Sequence, residues 1–335
     1  MSWAAWITGL AGDRMAVARA AVEAMSRAGQ NVELLELDEM RRIVTPEPTN
    51  TAVERDLLHR AVVYVASVLV ESGVPALIDA AAQRRAWRDV ARRSLPRFAE
   101  IEVCSVEAGA EEYEPPMAPE LRIDTSRETP ILAAARIAEL VKAWPQTSHR
   151  SATMGWAIWI TGLPGSGKTT LAGGVAEALM QRGVDVRILE LSGVRAFVTT
   201  GVWSPLAEDL AHRALVYAAK RLSASGTPVI IDATAPARAW RQLAREAIPR
   251  FAEVQLVCPS ILCGNRERAA RWHLMGCSHR RPAPAADAPD VVLHYEHALA
   301  PELTIHTDVE DPWSAVQAVV GLAQRLQRFE SAQVA

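Results

Sequence analysis

Cysteine, aromatic side chains and charge of one sign are all scarce in this sequence. Of its 335 residues 4 are cysteine, aromatic residues make up 5%, and the formal net charge is -3. The absence of any CxxC pair argues against a disulfide framework and favours reduced thiols. A chain of nearly balanced charge gives no reason to expect nucleic acid or an anionic membrane as a partner.

The cysteines are Cys104, Cys258, Cys263 and Cys277. No matching cluster of histidines accompanies them, so packing within the fold is the favoured role for Cys258 and Cys263. A metal-binding or redox pair of these two residues is the alternative.

Long apolar runs are missing as well. The longest ones are too short to span a bilayer, and the N-terminus lacks a basic segment followed by an apolar one. We therefore expect a cytoplasmic protein. The length suits two domains, each large enough for its own core.

One complete motif stands out in the second half of the chain. Gly162, Gly167, Lys168 and Thr169 satisfy G-x-x-x-x-G-K-[ST], between a short apolar run at 157–161 and an Ala/Leu-rich stretch at helical spacing. Strand, glycine loop and helix is the context that a nucleotide-phosphate-binding loop (P-loop) requires. A glycine-rich turn without a ligand is the alternative.

The chemistry of this loop is well defined. Glycines allow backbone N–H groups to surround phosphates, and the helix N-terminus adds partial positive charge. Lys168 would neutralise the β and γ oxygens of ATP, and the Thr169 hydroxyl would bind Mg²⁺. The predicted ATP-binding residues of the loop are Gly162, Leu163, Pro164, Gly165, Ser166, Gly167, Lys168, Thr169 and Thr170.

The first half carries a degenerate copy of this loop, AWITGLAGDRMAVA at 5–18. Gly9 and Gly12 match two loop glycines, one residue is missing, Arg14 stands where Lys168 does, and Met15 replaces Thr169. Met15 cannot bind Mg²⁺, and an arginine fork does not reproduce the point charge of a lysine. A half kept for folding is the favoured interpretation. A nucleotide site rebuilt around Arg14 is the alternative.

The two loops belong to a longer internal repeat. Residues 57–80, 85–103 and 113–125 are closely similar to 210–233, 238–256 and 295–307. Both halves alternate apolar strands with amphipathic helices, which predicts an α/β fold of two tandem P-loop-type domains, each a mostly parallel sheet with helices on both faces. We assign domains to 1–143 and 154–330 with a linker at 144–153. The strands of the second half are predicted at 157–161, 186–191, 229–232, 254–258 and 303–306.

A basic segment distinguishes the second half from the first. It lies between the fourth predicted strand and Tyr295 and has almost no counterpart in the first half. Because only the half with the intact loop carries it, we favour a lid that closes over phosphates rather than a solvated loop. Its basic residues are Arg266, Arg268, Arg271, His273, His279, Arg280 and Arg281.

Read together, these motifs resemble the adenylylsulfate (APS) kinases, over nearly the whole chain and twice. Such P-loop kinases use MgATP to phosphorylate the ribose 3′-OH of adenosine 5′-phosphosulfate in sulfate assimilation. Besides the loop, the resemblance rests on Pro236 and Arg238, on Cys263, Arg266 and Glu267, and on the stretch Tyr295, Glu296, Pro301, Glu302 and Leu303.

The resemblance implies further site residues. Arg195, Arg213 and Arg238 match positions near the acceptor, and Arg266 matches a residue that stacks on or clamps the adenine. For Arg213 and Arg238, helix-surface charge is the alternative. The likeness also implies that the two halves form an intramolecular pseudo-dimer, because relatives are usually homodimers.

Asp232 is the candidate catalytic partner of Lys168. It ends the apolar strand PVIID close to the loop and could orient Mg²⁺-bound water or accept the acceptor's proton. Asp79 holds the same place in the first half, so a structural role for both is the alternative.

Two departures from the family weaken APS as the acceptor. Ser192 replaces an acidic residue after the second strand, and Ala235 replaces a serine sometimes drawn as a phospho-acceptor. The alternatives are therefore a kinase for another small-molecule hydroxyl and an ATP-binding regulatory protein without activity.

Overall fold

The computed structural model describes residues 2–10, 13–104, 113–144, 154–199, 204–274 and 294–328, and for 270–274 only the backbone. Several sequence-based expectations fall outside these residues: Gly12, Cys277, His279, Arg280, Arg281, most of the predicted linker, and the side chains of Arg271 and His273.

The first repeat alternates strands and helices as expected. Its elements are β1 (Ala4–Thr8), α1 (Arg14–Arg27), β2 (Glu33–Glu36), α2 (Leu37–Val44), α3 (Ala52–Glu71), β3 (Ala76–Asp79), α4 (Arg85–Ser94), β4 (Phe98–Cys104), β5 (Leu121–Asp124) and α5 (Pro130–Lys142).

The second repeat follows the same plan, and among the residues that the structure describes it has one more helix, after its fourth strand. Its elements are β6 (Ala157–Thr161), α6 (Lys168–Met180), β7 (Arg187–Glu190), α7 (Leu191–Val198), α8 (Pro205–Ala224), β8 (Val229–Asp232), α9 (Arg238–Ala247), β9 (Phe251–Val257), α10 (Ser260–Leu274), β10 (Leu303–His306) and α11 (Pro312–Arg328).

Each repeat forms one five-stranded sheet in which all neighbouring strands are parallel. The orders are β2-β3-β1-β4-β5 and β7-β8-β6-β9-β10, so the two sheets have the same topology. The strand that precedes each loop is central, and every residue of β1 and β6 is buried. The α/β class with two tandem parallel sheets is thus confirmed.

The contacts divide the chain into two compact units. Unit 1 comprises Met1–Met154 and Ser192–Gly226, and unit 2 comprises Gly155–Leu191 and Thr227–Ala335. Helix α8 and nearly all of α7 therefore belong to unit 1, although they are part of the second repeat.

One strand begins earlier than the sequence pattern indicates. The prediction placed the fourth strand of the second repeat at 254–258, but β9 spans Phe251–Val257. Glu253 was the reason for the error, because a charged residue inside an apolar run resembles a strand boundary. In the structure Glu253 is buried and pairs with Arg241.

This buried ion pair connects two elements and two loop segments of unit 2. Arg241 on α9 is fully buried, and its Nε donates to Glu253 on β9 over 2.7 Å. Its other nitrogens donate to the carbonyl oxygens of Ala235 and Glu296. The first repeat has the same arrangement, in which Arg88 bonds Glu100. The pair fixes the loop after β8 and the segment before β10 to the sheet.

We predict that Arg241→Ala destabilises the protein by about 3–5 kcal/mol, because it leaves the Glu253 carboxylate buried without its cation. Urea unfolding measures this loss. Gln242→Ala, at the exposed neighbouring position on the same helix, is the matched control and should change stability by less than about 0.5 kcal/mol. Equal effects of the two substitutions would contradict the assigned role of Arg241.

Candidate active site

The loop between β6 and α6 has a tight conformation that requires glycine. The Ser166 N–H donates to the Leu163 carbonyl over 3.0 Å, which closes a turn. Gly165 has φ +76°, and a Cβ there would lie 2.1 Å from the Cys263 carbonyl oxygen. No other residue fits so close to a neighbouring backbone. The loop is thereby packed against helix α10, which also carries Arg266.

Lys168 is the first residue of α6 and lies folded back over the loop. Its side chain is buried, and Nζ donates to the carbonyl oxygens of Gly162 over 3.1 Å and Leu163 over 3.0 Å. Burial lowers the pKa of Lys168, while the nearby Asp232 carboxylate acts in the opposite sense. The ammonium group is therefore positioned over the cradle in which phosphates would lie.

Asp232 ends strand β8 directly beside the loop, as predicted. The Thr169 hydroxyl donates to the Asp232 carboxylate over 2.6 Å. Burial raises the pKa of Asp232, whereas the Thr169 hydrogen bond and the charge of Lys168 lower it. The structure thus brings together Lys168, Thr169 and Asp232, the three residues to which the sequence assigned the chemistry.

A cavity of about 550 Å³ opens next to the loop. Arg266 donates to the Thr307 carbonyl over 3.0 Å, and the Thr307 hydroxyl donates to the Ser166 carbonyl over 2.9 Å. These two bonds join one wall of the cavity to the loop. Its lining residues are Ser166, Gly167, Thr170, Leu171, Gly174, Arg266, Ile305, Thr307, Glu310, Pro312, Trp313, Ala315 and Val316.

The residues fit a nucleoside triphosphate with a divalent cation. The cavity has the size of small-molecule sites and shares Ser166, Gly167 and Thr170 with the loop. The Ser166 hydroxyl is buried and finds no partner among the described residues. Within the same part of the chain, no group of three or more His, Cys, Asp or Glu side chains could hold a metal. A cation would need additional oxygen ligands, as Mg²⁺ has when it binds phosphates.

The arginines predicted to bind the acceptor lie in both units. In unit 1, Arg195 donates to Glu208 over 2.9 Å, and Arg213 donates to Asp209 over 2.7 Å and to the Ile43 carbonyl over 3.2 Å. In unit 2, Arg238 donates to the His297 carbonyl over 3.0 Å.

The contact of Arg238 has a counterpart in the first repeat, where Arg85 donates to the Pro115 carbonyl over 3.0 Å. Both arginines thus anchor the segment that leads to the last strand. Acceptor binding by Arg195, Arg213 and Arg238 stays a prediction.

The predicted lid is described only at its start. Helix α10 carries Arg266 at the cavity and Arg268, whose guanidinium donates to Asn265 over 2.6 Å. Arg268 therefore makes a local contact on its own helix.

In the first repeat Arg14 does take the position of the P-loop lysine. It is the first residue of α1, it donates to the Gly9 carbonyl over 2.9 Å, and it forms an ion pair with Asp79. Burial raises the pKa of Asp79, and Arg14 opposes this shift. One arginine thus makes the contacts that Lys168 and Thr169 share in the second repeat. The adjoining pocket measures about 100 Å³, below the size range of small-molecule sites.

Sequence reasoning missed several cavity residues, above all Thr307, Glu310 and Trp313. A usable signal was present, because Thr307 directly follows the carboxyl end of β10. Ligands of parallel α/β sheets bind beyond these strand ends. Trp313 is 64% exposed although it is large and aromatic, which is unusual away from binding sites.

The sequence profile of one family, adenylylsulphate kinase, matches residues 1–109 and 154–274, which is more than half of the chain. The chain belongs to the adenylylsulphate kinase family. It is therefore a kinase, a transferase that binds a nucleotide.

Curated relatives match this kinase over a stretch about as long as one of its two repeats. A probable adenylyl-sulfate kinase of Archaeoglobus fulgidus is 33% identical over 165 residues, which cover 47% of this chain and 99% of the relative. An adenylyl-sulfate kinase of Synechococcus is 34% identical over 158 residues, covering 44% and 89%. The solved APS kinase of Mycobacterium tuberculosis in complex with AMPPNP and APS is 25% identical, with a TM-score of 0.41 and coverage of 51% and 99%.

No helix in the described ranges combines the length and apolar character that crossing a membrane requires.

We predict one nucleotide site per chain of this kinase. Lys168→Ala should weaken binding of a non-hydrolysable ATP analogue at least about 10-fold, because it removes a charge-assisted contact to phosphate. Arg14→Lys, which keeps a positive charge beside Asp79, should leave binding unchanged. Isothermal titration calorimetry measures both affinity and stoichiometry. A stoichiometry of two, or a loss of binding in Arg14→Lys, would revive the site rebuilt around Arg14.

Proposed function

We propose that unit 2 binds MgATP and transfers the γ-phosphoryl group to the hydroxyl of a small molecule. The acceptor that fits the family best is the ribose 3′-OH of adenosine 5′-phosphosulfate. The observation that carries the proposal is the hydrogen bond of Thr169 to Asp232, with Lys168 folded over an intact loop beside the cavity lined by Arg266. The first repeat lacks this set.

The loop and the cavity divide the recognition of ATP between them. Backbone N–H groups at the start of α6 and the Lys168 ammonium would hold the phosphates. Arg266 and Trp313 line the cavity and would hold the base, since a guanidinium and an indole both stack well on a purine.

Thr169 and Asp232 would hold Mg²⁺ in this proposal. When bound, the ion neutralises charge on the phosphate oxygens. Phosphoryl transfer depends on alignment and charge neutralisation, so the main work of the chain is to fix Lys168 and these two oxygen donors. Asp232 also has a proton-accepting carboxylate whose pKa is raised by burial, which suits a base for the acceptor hydroxyl.

A second candidate is a kinase of the same fold for a different hydroxyl. It is favoured by the contacts of two acceptor arginines, because Arg195 is paired with Glu208 and Arg213 with Asp209 and the Ile43 carbonyl. Ser192 and Ala235 point the same way, since both replace residues typical of the family.

Product analysis distinguishes the candidates. The full chain is incubated with [γ-³²P]ATP, Mg²⁺ and either APS or a panel of metabolites that carry hydroxyl groups. Label in the 3′-phosphorylated product of APS supports the first candidate, and label in another product supports the second. Tight ATP binding without any transfer would overturn both and leave an ATP-binding regulatory protein.

We predict that Asp232→Asn lowers kcat by about 10²–10⁴-fold while the Kd for ATP changes only a few-fold, because the amide cannot accept the proton. Since burial raises the pKa of Asp232 in the free protein, the acid limb of wild-type kcat/KM should lie at higher pH than for an exposed aspartate. Steady-state rates over a pH series measure both effects. Asp79→Asn, the equivalent change in the first repeat, is the control and should keep the wild-type rate. An unaltered rate in Asp232→Asn would show that Asp232 is not the general base.

We further propose that the two repeats pair through α3 and α8, which pack together within unit 1. We also propose that the protein works in the cytoplasm.

A further inference from the structure

Helix α8 carries two basic residues that meet acidic residues of the first repeat inside unit 1. Arg221 forms ion pairs with Glu33 on β2 and with Glu39 on α2, the latter over 3.2 Å, and donates to the Leu34 carbonyl over 2.7 Å. Lys220 pairs with Glu39 over 3.1 Å. One helix of the second repeat is thus held by opposite charges on two elements of the first.

The ion pair between Arg221 and Glu33 is shielded from water. The side chains of Arg221 and Glu33 are 15% and 14% exposed. Burial alone would lower the pKa of Arg221, but the charges of Glu33 and Glu39 help to hold this pKa above its usual value. A shielded pair gains little over an apolar contact of the same shape, but it strongly penalises the loss or reversal of one partner. Such ion pairs therefore discriminate between binding partners more than they add to affinity.

The equivalent positions of the repeats do not carry these charges. In the aligned stretches 57–80 and 210–233, Ser67 and Val68 correspond to Lys220 and Arg221. On the opposing surface, β7 and α7 place Arg187 and Gly193 where β2 and α2 have Glu33 and Glu39. The contact is therefore asymmetric, because the second repeat supplies the cations and the first repeat supplies the carboxylates.

Pairing two like repeats in the same geometry gives unfavourable contacts. Two second repeats would set Arg221 against Arg187, a shielded repulsion between like charges. Two first repeats would set Glu33 against Val68, a shielded carboxylate without a cation. Only one copy of each repeat brings Arg221 to Glu33 and Lys220 to Glu39.

We infer that Lys220, Arg221, Glu33 and Glu39 form a pairing code that admits one copy of each repeat and rejects two of the same kind. The partner that fits this surface is therefore the other repeat of the same chain. Repulsion between wrong partners is what gives the code its specificity. The inference concerns assembly and does not depend on which acceptor the kinase uses.

The test uses the folded full chain with a specific protease site in place of residues 146–151. After cleavage, the wild-type pieces should stay together as a 1:1 complex in sedimentation at micromolar concentration. Glu33→Arg, which copies the residue of the second repeat, should raise the dissociation constant of the pieces by at least about 100-fold. Glu33→Arg combined with Arg221→Glu should restore it to within about 10-fold.

Glu23→Arg is the matched control, because Glu23 forms an exposed pair with Arg27 on α1; it should leave the dissociation constant unchanged. If Glu33→Arg does not fold, Lys220→Ser with Arg221→Val takes its place, with the same expected loss. Complexes of two like pieces after cleavage of the wild type would overturn the code. So would a Glu33→Arg complex as tight as wild type, or a double variant no tighter than the single one.

Discussion

A buried carboxylate at the end of the strand beside the loop constrains both repeats. Asp79 and Asp232 end β3 and β8, next to the central strands, and are 2% and 7% exposed. A carboxylate so placed is costly unless donors or a cation meet it. In the second repeat the Thr169 hydroxyl donates to the carboxylate and the nearby Lys168 ammonium adds positive charge, whereas in the first repeat Arg14 pairs with it directly. In the first repeat, which lacks the P-loop lysine, Arg14 thus supplies the positive charge beside the buried carboxylate.

The two repeats share further buried contacts although their loops differ. The buried pairs Arg88–Glu100 and Arg241–Glu253 are the same in both repeats, and so are the anchoring contacts of Arg85 and Arg238. Residues that satisfy buried charge within the sheet persisted. Other charged residues differ between the repeats, among them those on the loop, at the pairing surface and in the basic segment.

Much of the fold and part of the site followed from the sequence, for identifiable reasons. The repeat and the strand–helix alternation are local patterns, and the loop motif fixes Lys168 and Thr169 relative to β6. The partners of Arg195 and Arg213, Glu208 and the Ile43 carbonyl, depend on tertiary packing that no spacing rule encodes. Thr307 and Trp313 reach the cavity because β10 joins the sheet parallel to β6, with β9 between them, so that the carboxyl ends of these strands lie on the same side. The start of β9 was predicted wrongly because Glu253 is paired with Arg241 on α9, a partner that the local sequence pattern does not reveal.

The path of the chain between the units bears on how the protein is made. The chain leaves unit 2 at Leu191, contributes α7 and α8 to unit 1, and returns at Thr227 to supply β8. On the ribosome, unit 1 stays incomplete until about half of the second repeat has been synthesised. Strand β6 can pair with its neighbour β8 only after α7 and α8, which belong to unit 1, have been synthesised. The two units therefore mature as interleaved rather than successive folding events, and no single cut in the chain separates them.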